Sequence, residues 1–318
     1  MRHVLFASAT LSALVLSGCG GSTGSNAPGL AALPQINHQN GAGIKPGVAA
    51  QTLLYVTDSG SGTVKMYGYP DLTYTGEITG FNDPLFMCLG KKGRVFVVDY
   101  GLGQVSEYAH ATSSPIKVLT GLTLPYQCAY DKSTGDLAVV ENIESSSENI
   151  GYVAVYHHAT GTPHIYYDRN AFILTGVAYD GQGKIYVDGY AGPSDTFYYA
   201  KLDAPESTFD QITLQGGTPG SAGPMYFDAF NNYIDIGDFA TKIYQIPAAT
   251  PNTVTHIVSV GVPGSSSNGF SVPSRKRVIV ADAFANQVLI YKYPHGGTAI
   301  DAITTGLNMP WDAVVSKP

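Results

Sequence analysis

Residues 94–108 read RVFVVDYGLGQVSEY. A short apolar run ends in an acid, a glycine-bearing turn follows, and a second run ends in tyrosine. Runs rich in β-branched and aromatic residues, bounded by Gly and Asp, are two strands joined by a tight turn. The pattern returns five more times. Its acids are Asp58, Asp99, Glu141, Asp188, Asp238 and Asp282, and subtracting neighbours gives spacings of 41, 42, 47, 50 and 44. A period of that length predicts one supersecondary unit repeated around or along an axis.

Each period holds four runs. One type precedes the acidic run: FMCLG (86–90), YQCAYD (126–131), TGVAYD (175–180), PMYFDA (224–229), NGFSV (268–272) and WDAVVS (311–316). The last of these has no successor, while LLYVTD (53–58) near the start has no predecessor. Each therefore completes the other's four-stranded unit, and six units close into a ring. Radial repetition of short strands, which protects their edges, predicts an all-β, six-bladed β-propeller. A long β-sandwich would explain the strands and leave the period unexplained.

The first residues, MRHVLFASATLSALVLSGCGG, place Arg2 ahead of an apolar run from Val4 to Leu16. Thirteen residues are too few to span a bilayer, and the pattern is that of a signal segment over 1–18. Leu16-Ser17-Gly18-Cys19 resembles the lipobox of bacterial lipoproteins, which implies that Cys19 carries lipid and begins the mature chain. An ordinary secretory signal that happens to contain Cys19 is the alternative. Gly20 and Ser22 lack the aspartate that retains such proteins at the inner membrane, which implies the outer membrane or cell surface. Residues 19–50 are rich in Gly, Ala, Ser, Asn and Pro and nearly uncharged, a composition expected to form a flexible tether. Such a coil would average roughly 30 Å end to end.

Residues 51–318 remain for one propeller domain, long enough to bury a large core. Charged residues make up 13% of the chain against a usual share of about 25%. Polar surface must come from Ser, Thr, Asn, Gln and Tyr. The net charge of −7 argues against a nucleic-acid partner, which requires a basic footprint.

With a Pro or Gly ahead of an inner strand and an apolar pair ending in Asp, the chain resembles six-bladed propellers of the NHL-repeat, SMP-30/gluconolactonase and strictosidine-synthase-like kind. The resemblance covers about 260 residues and is a fold signature first. It implies activities ranging from protein binding to lactone hydrolysis assisted by Ca²⁺ or another divalent metal.

The six acids fall on one rim. They could hold metal, but turns such as Asp58-Ser-Gly and Asp99-Tyr-Gly are where Asp caps backbone amides. Tyr67, Tyr108, Tyr156 and Tyr291 recur in third strands and are expected to pack between blades. Aligning the inner runs puts Phe86, Gln127, Gly176, Pro224, Asn268 and Asp312 at one level of the central channel. Around them come Asn82, Asp83, Asn308, Tyr100, Tyr126 and Trp311. Polar groups converging among aromatics are the usual look of a ligand pocket. Gln127, Asn268, Asp312, Trp311, Tyr126 and Asn308 are accordingly the candidate binding residues. Asp312 with Asn268 resembles part of a gluconolactonase-type metal set, although Phe86 stands near where that family's Glu would be.

Longer segments at 142–150 and 189–196 leave the acidic strand ends on the same rim, and 216–223 and 261–268 lead into inner strands there. His110, His157, His158 and His295 lie in short turns on the opposite face and are expected to be solvated. Cys88 and Cys128 sit on neighbouring inner runs, where export would permit a disulfide. Aligning Pro84 with Pro125 directs the two side chains to opposite faces, so two buried free thiols are expected.

No H-E-x-x-H, C-x-x-C-H or P-loop is present. The sequence therefore points to a lipid-anchored binding propeller for a small polar molecule, glycan or protein at the channel mouth. The alternative is a divalent-metal hydrolase or lactonase using Asp312.

Overall fold

The computed structural model describes residues 43–142, 151–192, 196–202, 208–261 and 267–318. The predicted signal segment, Cys19 and most of the predicted tether lie outside the described residues, as do 143–150, 193–195 and 262–266 of the longer mouth segments.

The chain begins with β1 (Leu53–Asp58), β2 (Thr63–Gly68) and β3 (Tyr74–Thr79). Four strands follow in β4 (Pro84–Leu89), β5 (Val95–Asp99), β6 (Gln104–Tyr108) and β7 (Pro115–Leu119). The next four are β8 (Pro125–Tyr130), β9 (Leu137–Glu141), β10 (Gly151–Tyr156) and β11 (His164–Asp168). Then come β12 (Ile173–Tyr179), β13 (Ile185–Ala191), β14 (Thr196–Leu202) and β15 (Phe209–Gln211). β16 (Met225–Asp228), β17 (Tyr233–Gly237), β18 (Lys242–Pro247) and β19 (His256–Ser259) form the following set. The last is β20 (Ser267–Ser274), β21 (Arg277–Asp282), β22 (Gln287–Lys292) and β23 (Asp301–Ile303), after which β24 (Pro310–Ser316) returns to the start.

Each set is one antiparallel four-stranded sheet, and β24 is the inner strand of the first, in the order β24-β1-β2-β3. Leu53 pairs with Ser316 and Thr57 with Asp312, so the ring closes as the sequence requires. The protein is a six-bladed β-propeller.

The core lies between blades. Leu54, Val56 and Tyr67 of the first blade pack on Ile279, Ala281 and Ile290 of the sixth, and Phe96, Val98 and Val105 of the second pack on Leu137, Val139 and Tyr156 of the third. Tyr67, Tyr108 and Tyr156 are buried in such interfaces, and Tyr291 is buried as well. Ahead of β1, Ile44 and Val48 lie against the interface of the first and second blades, and Lys45 N–H donates to Thr75 O.

Cys88 and Cys128 form a disulfide, with their Cα atoms 5.7 Å apart. The expectation of free thiols treats the two strands as members of one sheet. β4 and β8 are inner strands of neighbouring blades that stack face to face, so one side chain must point forward and the other back for them to meet. Opposite faces are the condition for the bond.

The acids at the second-strand ends accept backbone N–H groups of the loops about them. Asp58 takes Asn308 N–H, Asp99 takes Asn82 and Leu102, and Glu141 takes Thr123 and Leu124. Asp238 binds three successive amides, Ala240, Thr241 and Lys242. Asp188 departs from the strand-end pattern because β13 continues to Ala191, so the segment from 189 begins as strand. His110 also departs from expectation. It is half-buried, with Nδ1 2.7 Å from Ser316 Oγ and Nε2 2.8 Å from Gln51 O, and burial lowers its pKa.

Candidate functional site

Inner strands begin at one end of the ring, the mouth, and turn back into second strands at the other, the base. The predicted channel level holds two cross-ties. Gln127 Oε1 accepts Val177 N–H at 2.9 Å and Met225 N–H at 3.0 Å, while its Nε2 donates to Met225 O at 3.0 Å. One amide thus joins the third, fourth and fifth blades. Asp312 Oδ2 accepts Met87 N–H at 2.9 Å and Oδ1 accepts Ala313 N–H at 2.8 Å, joining the first and second blades. These donors lie at or near β-bulges, since the ladders of β4 and β12 slip before Met87 and Gly176. A bulge leaves a residue out of the ladder, and a side chain then satisfies the backbone.

Gly269 is required for this geometry. A Cβ there would lie 2.4 Å from Asp312 Oδ1.

Above the ties lies an aromatic floor. Phe86 packs on Tyr126 with ring centroids 5.1 Å apart, and Trp311 meets Phe86 edge-on at 6.4 Å. Tyr100 and Phe239 pack against the same cluster from their turns. Two polar atoms here have no hydrogen-bond partner among the described residues: Trp311 Nε1 and Oδ1 of Asn268, whose residue is only 3% exposed. Asn308 is set apart in the incoming loop, where its N–H binds Asp58 and its carbonyl accepts Gly60 N–H at 2.9 Å.

The candidate residues therefore divide. Gln127 and Asp312 are occupied as scaffold, Tyr126 is floor, and Trp311 and Asn268 carry the unused polar atoms. The mouth also holds apolar residues that the period does not single out. Phe284 is 79% exposed, and Met309 (45%) and Leu102 (49%) are exposed too. Met309 N–H donates to Asn286 Oδ1, which sets it beside the Phe284 turn. The signal available in the sequence is an apolar residue in a turn, as in DAFANQ, where Gly or a polar residue is the rule.

Burial raises the pKa of Asp312 to about 7 and of Asp188 to about 8, because the charged form loses its water. The donor set does not fit a divalent cation. Both Asp312 oxygens already accept N–H groups, and no group of three or more His, Cys, Asp or Glu side chains converges among the described residues.

The sequence matches no protein-family profile and no curated protein. In structure it is similar to a chain of the nidogen/laminin complex, at 12% identity and a TM-score of 0.66, over 83% of this chain and 98% of that one. Likeness at that identity establishes the shared propeller fold.

Proposed function

We propose that this propeller is a lipid-anchored, extracytoplasmic binding protein whose mouth face engages a partner protein. One observation carries the reading: Phe284 and Met309 stand exposed to solvent at the mouth, above a floor whose Trp311 indole N–H has no partner among the described residues. Aromatic and Met side chains are favoured at binding surfaces, and an exposed cluster marks an interaction site more often than a random surface. The cross-ties at the channel level and the lack of a fitting metal set among the described residues favour surface recognition over lactone hydrolysis. Under the same proposal, Cys19 carries lipid and residues 19–42 tether the fold to the envelope.

Peptides, glycans and small organic acids screened by thermal shift provide the test, using wild type, Phe284→Ser and Trp311→Phe. Trp311→Phe removes the indole N–H while keeping an aromatic ring. A ligand recognised at the mouth stabilises wild type and is weakened by both substitutions. One that stabilises all three proteins equally binds elsewhere and ends the reading. Lipidation is read separately, by the mass of the mature N-terminal peptide.

A further inference from the structure

One arc of the base of the ring carries a charge opposite in sign to that of the whole chain. Lys91 and Lys92 form the tip of the β4–β5 turn, Arg275 and Lys276 the tip of the β20–β21 turn, and Lys317 follows β24. All five are exposed, and none makes an ion pair or side-chain hydrogen bond among the described residues. The sixth, first and second blades are neighbours in the ring, so the three tips form one arc. They are in contact at one joint: Ser316 Oγ donates to Gly93 O at 2.6 Å, and a Cβ on Gly93 would lie 2.0 Å from Lys317 O.

No acidic side chain occurs in these three turns, although the chain carries a net charge of −7. At this end of the same blades, Asp71 and Asp301 belong to the outer hairpins. Arg94 and Arg277 flank the arc but are engaged within the fold, with Glu107 at 2.7 Å and with Tyr69. The chain also enters the propeller here. Leu53 pairs with Ser316 at the base, and His110 joins Gln51 to the same corner.

We propose that this arc docks on a bilayer of anionic lipids, with phosphate headgroups as the recognised chemistry. Five unpaired cations on adjacent turn tips present a convex, strongly hydrated positive surface, which suits a plane of phosphates. Docking at the base would turn the mouth away from the bilayer, toward a partner. Each cation near an anionic surface strengthens partitioning roughly fivefold, and salt removes the effect. The inference goes beyond the mouth-binding reading and does not depend on lipid at Cys19.

The full-length chain bearing Cys19→Ser, and therefore no acyl group, is sedimented with vesicles of phosphatidylglycerol and phosphatidylcholine or of phosphatidylcholine alone. Binding is expected only to the anionic vesicles and is expected to fall as salt rises. Lys91→Glu/Lys92→Glu and, separately, Arg275→Glu/Lys276→Glu should each weaken it at least tenfold. Arg169→Glu/Lys242→Glu, with the same change in net charge at the mouth end, should alter it less than twofold. Melting curves confirm that each variant is folded. Equal loss in all three variants, equal binding to neutral vesicles, or no binding at low salt overturns the proposal.

Discussion

The Tyr293 hydroxyl lies 2.9 Å from Asp235 Oδ2, reaching from the sixth blade into the buried heart of the fifth. The same oxygen stands 3.1 Å from Asp228 Oδ2 and accepts a hydrogen bond from Gln245 Nε2. A phenol has one proton to donate, so it serves one carboxylate. The other must bring a proton of its own, and Asp235 is the group that burial, with Asp228 alongside, pushes far above the carboxylate range.

A prediction follows with a definite sign. Asp235, Asp188 and Asp312 all have raised pKa values in the fold, so the native state holds protons that the unfolded chain releases above about pH 4. Their contribution is greatest at or below that pH and is lost as pH rises toward the folded values. Unfolding free energy from urea titrations should thus be higher at pH 5 than at pH 8. Asp235→Asn, which keeps a neutral donor, should shrink that difference. An unchanged difference would place the proton elsewhere.

The disulfide gives a second test. Cys88 and Cys128 are 40 residues apart in sequence and cross-link the inner strands of two blades. On the chain-entropy account, a loop of that size stabilises by about 3–4 kcal/mol. Replacing both by Ser should lower stability by about 2–4 kcal/mol, and reductant should then have no further effect on the melting curve. Wild type melting identically with and without reductant would show that the bond contributes nothing.

Much of this architecture was legible in the residues. The acid-turn-tyrosine period counts the blades, because each blade needs the same strand end capped in the same way. LLYVTD and WDAVVS reveal the closure because each lacks a partner in its own period. The channel level was legible as positions and not as roles. Gln127 and Asp312 do face other inner strands, but the bulges that leave donors such as Met87 N–H and Val177 N–H for them have no composition signal. The disulfide was hidden for a related reason, since alternation along a strand says nothing about which sheet stands opposite. Phe284 and Met309 fall in turns, where the repeat imposes no pattern.

Gln127 provides the sharpest test of the cross-tie. Gln127→Ala leaves two buried N–H groups and one C=O without their partner, each worth about 1–3 kcal/mol when unsatisfied. Destabilisation of about 3 kcal/mol or more is expected, read by guanidinium titration. Gln127→Glu keeps the acceptor and loses the donor to Met225 O, so it should fall between wild type and Ala at a pH where the Glu is ionised. Wild-type stability in the Ala variant would mean that water replaces the side chain.

Closure is the last relation to test, and the bond that reports it is Thr57. Its hydroxyl donates to Leu85 O at 2.5 Å and accepts Asp312 N–H at 2.9 Å, so one side chain of β1 touches inner strands of two blades at the seam. Removing residues 311–318 deletes most of β24, leaves β1 as an open edge, and takes Ala313, Val314 and Val315 from two inter-blade cores. In a ring each blade packs on both neighbours, so the loss should spread through every interface and abolish a single cooperative transition. Thr57→Val keeps shape and removes only the hydroxyl, and should cost about 1–3 kcal/mol while leaving the transition cooperative. A truncated chain that melts as sharply and as high as the full chain would show that the seam does not hold the ring.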